Sequence, residues 1–126
     1  MRNLLLAGAG SFIGGACRYW LSTFIQSKST TGFPYGTLIV NLFGCLVIGV
    51  LYGMFEKIPV SAESRLFVVT GMLGGFTTFS AFSVESFQLF RSGQAAAAIA
   101  YILSSVAGGL LLTFAGALIA KTSIQI

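Results

Sequence analysis

The stretch GMLGGFTTFSAFSVE, residues 71–85, places two adjacent glycines among phenylalanines and hydroxyl side chains in an apolar run. Gly74 and Gly75 weaken a helix, because glycine loses more backbone entropy on folding than any other residue. We therefore predict a helix broken near its middle, at Gly74 to Thr77. Backbone groups freed inside a membrane need protein, water or an ion as partners. Either the freed carbonyls face a cation, or a kink is satisfied by the neighbouring threonine hydroxyls.

The composition of the whole chain indicates that lipid is its solvent. Its 126 residues are 56% hydrophobic and 8% charged, whereas soluble domains carry about 25% charged residues. The net charge of +4 comes from scattered lysines and arginines, which favours membrane flanks over a nucleic-acid surface. The sequence contains no histidine, and Cys17 and Cys45 lie in apolar segments without metal-ligand spacing. We predict that both cysteines are packing residues and that the protein is not an enzyme.

Four apolar runs are long enough to cross a bilayer core, which takes about 20 residues. They cover residues 3–26, 34–55, 66–90 and 94–120. None alternates like a β-barrel strand, so we predict one all-α transmembrane domain over residues 1–126. Residues 1–17 resemble a signal peptide, but the apolar pattern continues to spanning length, which favours a first transmembrane helix.

The charges between the runs define orientation weakly. Arg2, Lys57, Arg65 and Lys121 would lie on one side of the membrane, and Lys28 and Arg91 on the other. The positive-inside rule then favours both termini in the cytoplasm. The alternative is a chain that inserts both ways and pairs antiparallel with itself, and the charges leave both open.

Glycines four residues apart recur in the apolar runs. The pairs are Gly10 and Gly14, Gly49 and Gly53, and Gly71 and Gly75. This spacing places both members on one helix face and lets neighbouring backbones approach. It predicts tight helix packing without a ligand.

Polar and aromatic side chains within the runs are candidate functional residues. Phe79 and Phe82 share a face if the helix resumes after the break. Their rings either pack, as phenylalanines usually do, or present positive edges to a small anion. Asn41 needs a partner, because burying an unpaired amide is costly, and either another helix or a pore could supply it. Further hydroxyl-bearing candidates are Thr37, Thr78, Ser80, Tyr101 and Ser105.

Arg18 and Glu85 are charged side chains placed inside the runs, and intramembrane charge is a functional candidate. Both lie toward the same end of the membrane, because the first and third helices run in the same direction. One interpretation is a mutual salt bridge. The other is a vestibule into which Arg18 attracts anions.

These pieces together resemble the Fluc (CrcB) family of microbial fluoride channels. The resemblance is carried by GGACRYW, which contains Arg18, by GTLIVNLFG, which contains Thr37 and Asn41, and by residues 71–85. It implies a fluoride-selective passive channel that exports fluoride from the cytoplasm and lowers its toxicity. It also implies a dual-topology antiparallel homodimer in the inner (cytoplasmic) membrane, with two pores.

The resemblance further implies roles for individual residues. By position, the pore and anion-binding residues are Asn41, Phe79, Phe82, Thr37, Thr78, Ser80, Tyr101 and Ser105. The vestibule residues are Arg18 and Glu85. The carbonyls of Gly74 and Thr77 match a structural Na⁺ at the dimer interface. Two positions depart from the family pattern: Ala81 stands where many relatives have threonine, and Gly109 where some have serine.

Two other classes of protein stay open. Small four-helix, dual-topology, proton-coupled drug exporters have a similar length, but typically need an acid in the first helix. Here that helix has none, and Glu85 lies late in the third. The other class is a non-transporting membrane assembly subunit. Conservative replacement of Phe79 or Phe82 should abolish fluoride flux in a channel and hardly matter in such a subunit.

Overall fold

The computed structural model describes residues 1–123, and these residues form helices joined by short connections, without a strand. Helix α1 is Arg2–Ser27 and α2 is Tyr35–Phe55. Three consecutive segments, Ala62–Arg65, Leu66–Leu73 and Gly74–Phe76, together form α3. Helix α4 is Phe79–Arg91 and α5 is Ala95–Ser123. The prediction of an all-α chain is confirmed for the described residues.

Three helical stretches in the described part of the chain are long and apolar enough to cross a membrane. They are Tyr35–Phe55, Ala62–Arg91 and Ala95–Ser123. The chain is thus a helical, multi-pass membrane protein. The predicted first span, residues 3–26, lies within α1, which has 26 residues. Its passage through the membrane stays a prediction.

The interruption between α3 and α4 lies at Thr77 and Thr78. Their backbone is extended, with ψ angles of 155° and 117°, whereas Gly74–Phe76 is helical. The predicted break is therefore right at Thr77 and wrong at the two glycines. Gly75 serves packing instead, since a Cβ on it would lie 2.5 Å from the Ser11 carbonyl oxygen, whereas Gly74 is exposed.

Glycines bring helix backbones into direct contact at two interfaces. Between α1 and α3, a Cβ on Gly14 would lie 1.9 Å from the carbonyl oxygen of Met72. Between α2 and α5, a Cβ on Gly49 would lie 2.1 Å from the carbonyl oxygen of Thr113. All six glycines of the predicted pairs make such close approaches. Their predicted packing role is confirmed.

Gly14→Ala is expected to destabilise the protein by about 1–3 kcal/mol, the usual cost of overpacking a close contact. Gly8→Ala on the same helix is the matched control, because beyond its own turn of helix no atom of residues 1–123 lies within 4 Å of its added Cβ. Thermal unfolding of both variants in detergent provides the measurement. Equal melting temperatures for the two variants would contradict the backbone contact between α1 and α3.

Candidate functional site

Asn41 on α2 bonds the break between α3 and α4 through both ends of its side-chain amide. Its Nδ2 donates to the Thr78 carbonyl oxygen at 3.0 Å, and its Oδ1 accepts the Thr78 N–H at 2.8 Å. The interhelical partner that the sequence left open is therefore Thr78. One N–H of Nδ2 and one lone pair of Oδ1 stay available, because a primary amide has two of each.

The break releases two backbone carbonyls. In an unbroken α-helix the Gly74 carbonyl would accept the Thr78 N–H, and the Thr77 carbonyl would accept the Ala81 N–H. Here the Thr78 N–H donates to Asn41 at 2.8 Å, and the Ala81 N–H donates to Thr78 Oγ1 at 3.2 Å. The carbonyls of Gly74 and Thr77 thus lose their helical donors.

The threonine hydroxyls bond elsewhere than to those carbonyls. Thr77 Oγ1 donates to the Leu73 carbonyl at 3.0 Å. Thr78 Oγ1 caps α4 by accepting from Ala81 and lies 3.2 Å from Ser80 Oγ. Hydroxyl back-bonding therefore occurs one turn earlier than the break, and the kink explanation does not account for the carbonyls of Gly74 and Thr77.

Arg18 contacts the same region from α1. Its Nε donates to the Gly75 carbonyl oxygen at 3.1 Å. In an unbroken helix that carbonyl would accept the Phe79 N–H, so the guanidinium occupies a position opened by the break. Of the two interpretations of Arg18 and Glu85, the mutual salt bridge is not formed within residues 1–123, because Arg18 bonds the Gly75 carbonyl and Glu85 bonds α2 and α5.

Glu85 on α4 joins three helices. Its Oε1 accepts from Thr37 Oγ1 of α2 at 2.7 Å, and its Oε2 accepts from the Tyr101 hydroxyl of α5 at 2.6 Å. Tyr101 is fully buried and Thr37 is 8% exposed. Both carboxylate oxygens therefore have donors. The cluster fixes α4 against α2 and α5 just beyond the Phe82 ring.

Tyr101→Phe is expected to destabilise the protein by about 1.5–3 kcal/mol, the usual worth of a hydrogen bond to a charged group. The ring would keep its contacts with Phe33 and Phe82, whose centroids lie 5.6 Å and 5.3 Å away. Tyr52→Phe is the control, because Tyr52 is 62% exposed. Thermal unfolding in detergent measures the difference, and equal stability of the two variants would contradict the cluster's role.

A cleft of about 430 Å³ opens beside the break. Most of its lining is apolar, but several predicted site residues meet in its wall: Asn41, Gly74, Thr77, Thr78, Phe79, Phe82 and Ser105. The Phe79 and Phe82 ring centroids are 5.4 Å apart, with the planes tilted by 49°. Phe79 is 78% exposed. Ser105 Oγ is buried and has no hydrogen-bond partner among residues 1–123.

A second, more polar cleft of about 310 Å³ lies one helical turn away, at the loop between α1 and α2. It is lined by Ser22, Thr23, Gln26, Gly32, Pro34, Gly36, Thr37 and Glu85. Thr37 precedes Asn41 by one turn of α2, and Glu85 follows Phe82 by one turn of α4. The two clefts are thus successive along the same pair of helices.

The structure brings most of the predicted site residues together. Tyr101 reaches the second cleft through its bond to Glu85, while Ser80 and Arg18 border the break without lining either cleft within residues 1–123. Sequence reasoning missed Gln26, which accepts from the Gly36 N–H at 3.0 Å and donates to the Phe33 carbonyl at 3.1 Å. It also assigned Cys45 to packing alone. The spacing of Cys45, one turn after Asn41, is the signal that places it beside the cleft.

The fold and the cleft define a helical membrane protein in which the span Ala62–Arg91 is interrupted beside a cleft with paired aromatic rings. The sequence profile of the family described as "CrcB-like protein, Camphor Resistance (CrcB)" matches residues 5–117. The chain belongs to this CrcB family.

Relatives named "Fluoride-specific ion channel FluC" align with nearly the whole chain. The relative in Ruminiclostridium cellulolyticum is 42% identical over 123 residues, which cover 97% of this chain and 95% of the relative. The relative in Chloroflexus aurantiacus is 44% identical over 117 residues, covering 92% and 93%. The relative in Phocaeicola vulgatus is 44% identical over 111 residues, covering 88% and 92%.

Proposed function

We propose that this protein is a fluoride-selective passive channel that exports fluoride from the cytoplasm and so lowers its toxicity. One observation carries the proposal: the Phe79 and Phe82 rings line a cleft with the Asn41 amide and the unpartnered Ser105 hydroxyl. The names of the relatives support the same ion. Permeation down a gradient needs no covalent chemistry, so the protein is a channel and not an enzyme.

The cleft offers hydrogen-bond donors and ring edges to a fluoride ion, without a fixed positive charge. The edges of aromatic rings carry partial positive charge, and Asn41 keeps one N–H after bonding to Thr78. Ser105 adds an O–H. Fluoride gives up strong hydration on entry, and these donors replace part of it. Chloride is larger and accepts hydrogen bonds more weakly, so it gains less, and selectivity follows from that difference.

The second cleft is the proposed vestibule. It is the more polar of the two, so a hydrated anion can enter before it loses water. Thr37 and Tyr101 donate to Glu85, and these bonds spread the negative charge that would otherwise repel fluoride. Arg18, beside the break, contributes a positive potential that attracts anions toward the path.

The proposed functional unit is an antiparallel homodimer with two pores. The exposure of Phe79, at 78%, supports this, because a second copy would cover the open side of the cleft. The weak charge bias between the loops also supports insertion in both orientations. All four predicted spans, including α1, cross the inner membrane in this arrangement.

Dual topology has a direct test through a single cysteine. Ser92→Cys, in a chain with Cys17 and Cys45 replaced by serine, places a thiol in the exposed connection between α4 and α5. A membrane-impermeant maleimide applied to intact cells should label only part of the protein, and the rest only after the membrane is opened. Labelling of all or none of the molecules before opening would contradict dual topology.

A structural Na⁺ at the dimer interface is the proposed cofactor. The carbonyls of Gly74 and Thr77 fit such an ion, because they have lost their helical donors, and unwound backbone carbonyls are known ligands for Na⁺. Residues 1–123 contain no group of three His, Cys, Asp or Glu side chains suited to a transition metal. Purification in Na⁺-free buffer should therefore weaken the dimer, and chromatographic size measures the effect.

Fluoride efflux from liposomes tests the proposed function. Vesicles loaded with potassium fluoride and containing the purified protein are diluted into fluoride-free medium, and a fluoride electrode follows release. A passive channel should release fluoride only when valinomycin carries K⁺ to compensate the charge. Protein that is folded but releases no fluoride would overturn the proposal, and proton-coupled drug transport would then be assayed.

A further inference from the structure

The polar side chains of α5 form a row with one gap. Tyr101, Ser105, Gly109 and Thr113 are spaced by four residues and so share one face of the helix. Ser105 lines the larger cleft, and the Tyr101 hydroxyl donates to Glu85 at the second cleft, whereas Gly109 has no side chain. Thr113 Oγ1 donates to the Cys45 carbonyl at 3.0 Å, so its hydrogen is already used.

The Cys45 thiol lies at the gap. A Cβ built on Gly109 would be 3.2 Å from Cys45 Sγ, which is closer than an ordinary van der Waals contact. Cys45 also lines the cleft that contains Asn41, Phe79 and Ser105. The sulfur on α2 therefore crowds position 109, because it would have to move by a few tenths of an ångström to admit a side chain there.

We propose that the Cys45 thiol takes the place of the missing hydroxyl at position 109 and is a further residue of the fluoride path. The inference rests on the proposed function and identifies one more group on that path. A thiol is a weak S–H donor with a polarizable sulfur. It continues the sequence of donors beyond Ser105 without adding charge, and Gly109 is small because the sulfur needs the room.

A rescue experiment tests the exchange between the two positions. Cys45→Ala removes the thiol and is expected to slow fluoride efflux. Adding Gly109→Ser to that variant places a hydroxyl in the vacated space, and efflux should recover. Gly109→Ser alone crowds the sulfur and should bring no gain. The inference is overturned if Cys45→Ala conducts like the unmodified protein, or if the second substitution slows it further.

Silver ions test access to the thiol, with Cys17 as the matched control. Cys17 is exposed on α1 and is outside the lining of both clefts in the described chain. In chloride-free nitrate medium, Ag⁺ should stop fluoride efflux through the unmodified protein and through Cys17→Ser. The Cys45→Ser variant should show the same rate with and without Ag⁺. Block that persists in Cys45→Ser, or that disappears in Cys17→Ser, would overturn the inference.

Fluoride efflux through the unmodified protein distinguishes a failure of this inference from a failure of the proposed function on which it rests. If it releases no fluoride, the proposed channel function itself fails. If it releases fluoride but neither Ag⁺ nor Cys45→Ala changes the rate, the channel stands and the role of Cys45 is wrong. Because Cys45→Ser keeps a side chain of similar size, the silver comparison stays informative even if Cys45→Ala does not fold.

Discussion

Replacing Phe79 with leucine should reduce fluoride efflux by at least about tenfold, the effect of losing about 1.4 kcal/mol of stabilisation along the path. Leucine keeps the apolar volume but has no aromatic edge with partial positive charge. Phe79 is 78% exposed in the single chain, so the substitution costs little folding energy there. A lower rate of fluoride efflux would therefore result from impaired permeation and not from misfolding.

Phe87→Leu is the matched control for this prediction. Phe87 lies on the same helix, α4, and is 61% exposed, but it is outside the lining of both clefts. Its efflux should match that of the unmodified protein. If Phe79→Leu conducts equally well, the ring is only a packing or lipid-facing group, and an assembly subunit becomes the better interpretation.

Asn41→Leu should abolish fluoride efflux and also lower stability. The change leaves the N–H and the carbonyl of Thr78 without the two bonds that now hold the break. Each unsatisfied buried group costs about 1–3 kcal/mol. The amide N–H that remains for the anion is lost as well, so folding and permeation are both affected.

The effect of Asn41→Leu is measured by thermal unfolding in detergent and by the liposome assay on the same preparations. Asn3→Leu, at an exposed position near the start of α1, is the control and should change neither. Unchanged stability together with unchanged efflux in Asn41→Leu would contradict the assigned role of the amide at the break.

Regular periodicity explains which parts of the structure could be predicted. Apolar run length is enough to predict helical spans. Glycine spacing is enough to predict that Gly10 and Gly14 approach another backbone. Each of these patterns can be seen within a single helix. The break lies beyond its predicted start because Gly74 and Gly75 both stay helical, and Gly75 packs on α1. Sequence propensity registers the weakness of glycine in a helix but not the neighbouring backbone that makes glycine necessary.

Pairing between helices was harder to predict, as Arg18 and Glu85 illustrate. Their partners depend on how α3 and α4 are rotated about their axes. Residues Leu66–Leu73 form wider, π-type turns, which change the number of residues per turn and so shift every later side chain around the helix. A projection with 3.6 residues per turn therefore cannot identify the Gly75 carbonyl as the partner of Arg18. The contact between Cys45 and Gly109 was missed because it depends on how α2 and α5 pack together, which the pattern within either helix does not specify.

The zero-current potential of the protein in a planar bilayer tests the central claim of passive, fluoride-selective permeation most directly. The fluoride concentration would be higher on one side of the membrane and the chloride concentration higher on the other. The concentrations of K⁺ and Na⁺ would be equal on the two sides. The account predicts a potential close to the fluoride equilibrium potential, which stays there when the chloride gradient is removed. A potential that follows chloride, or a folded protein that carries no fluoride current, would contradict it.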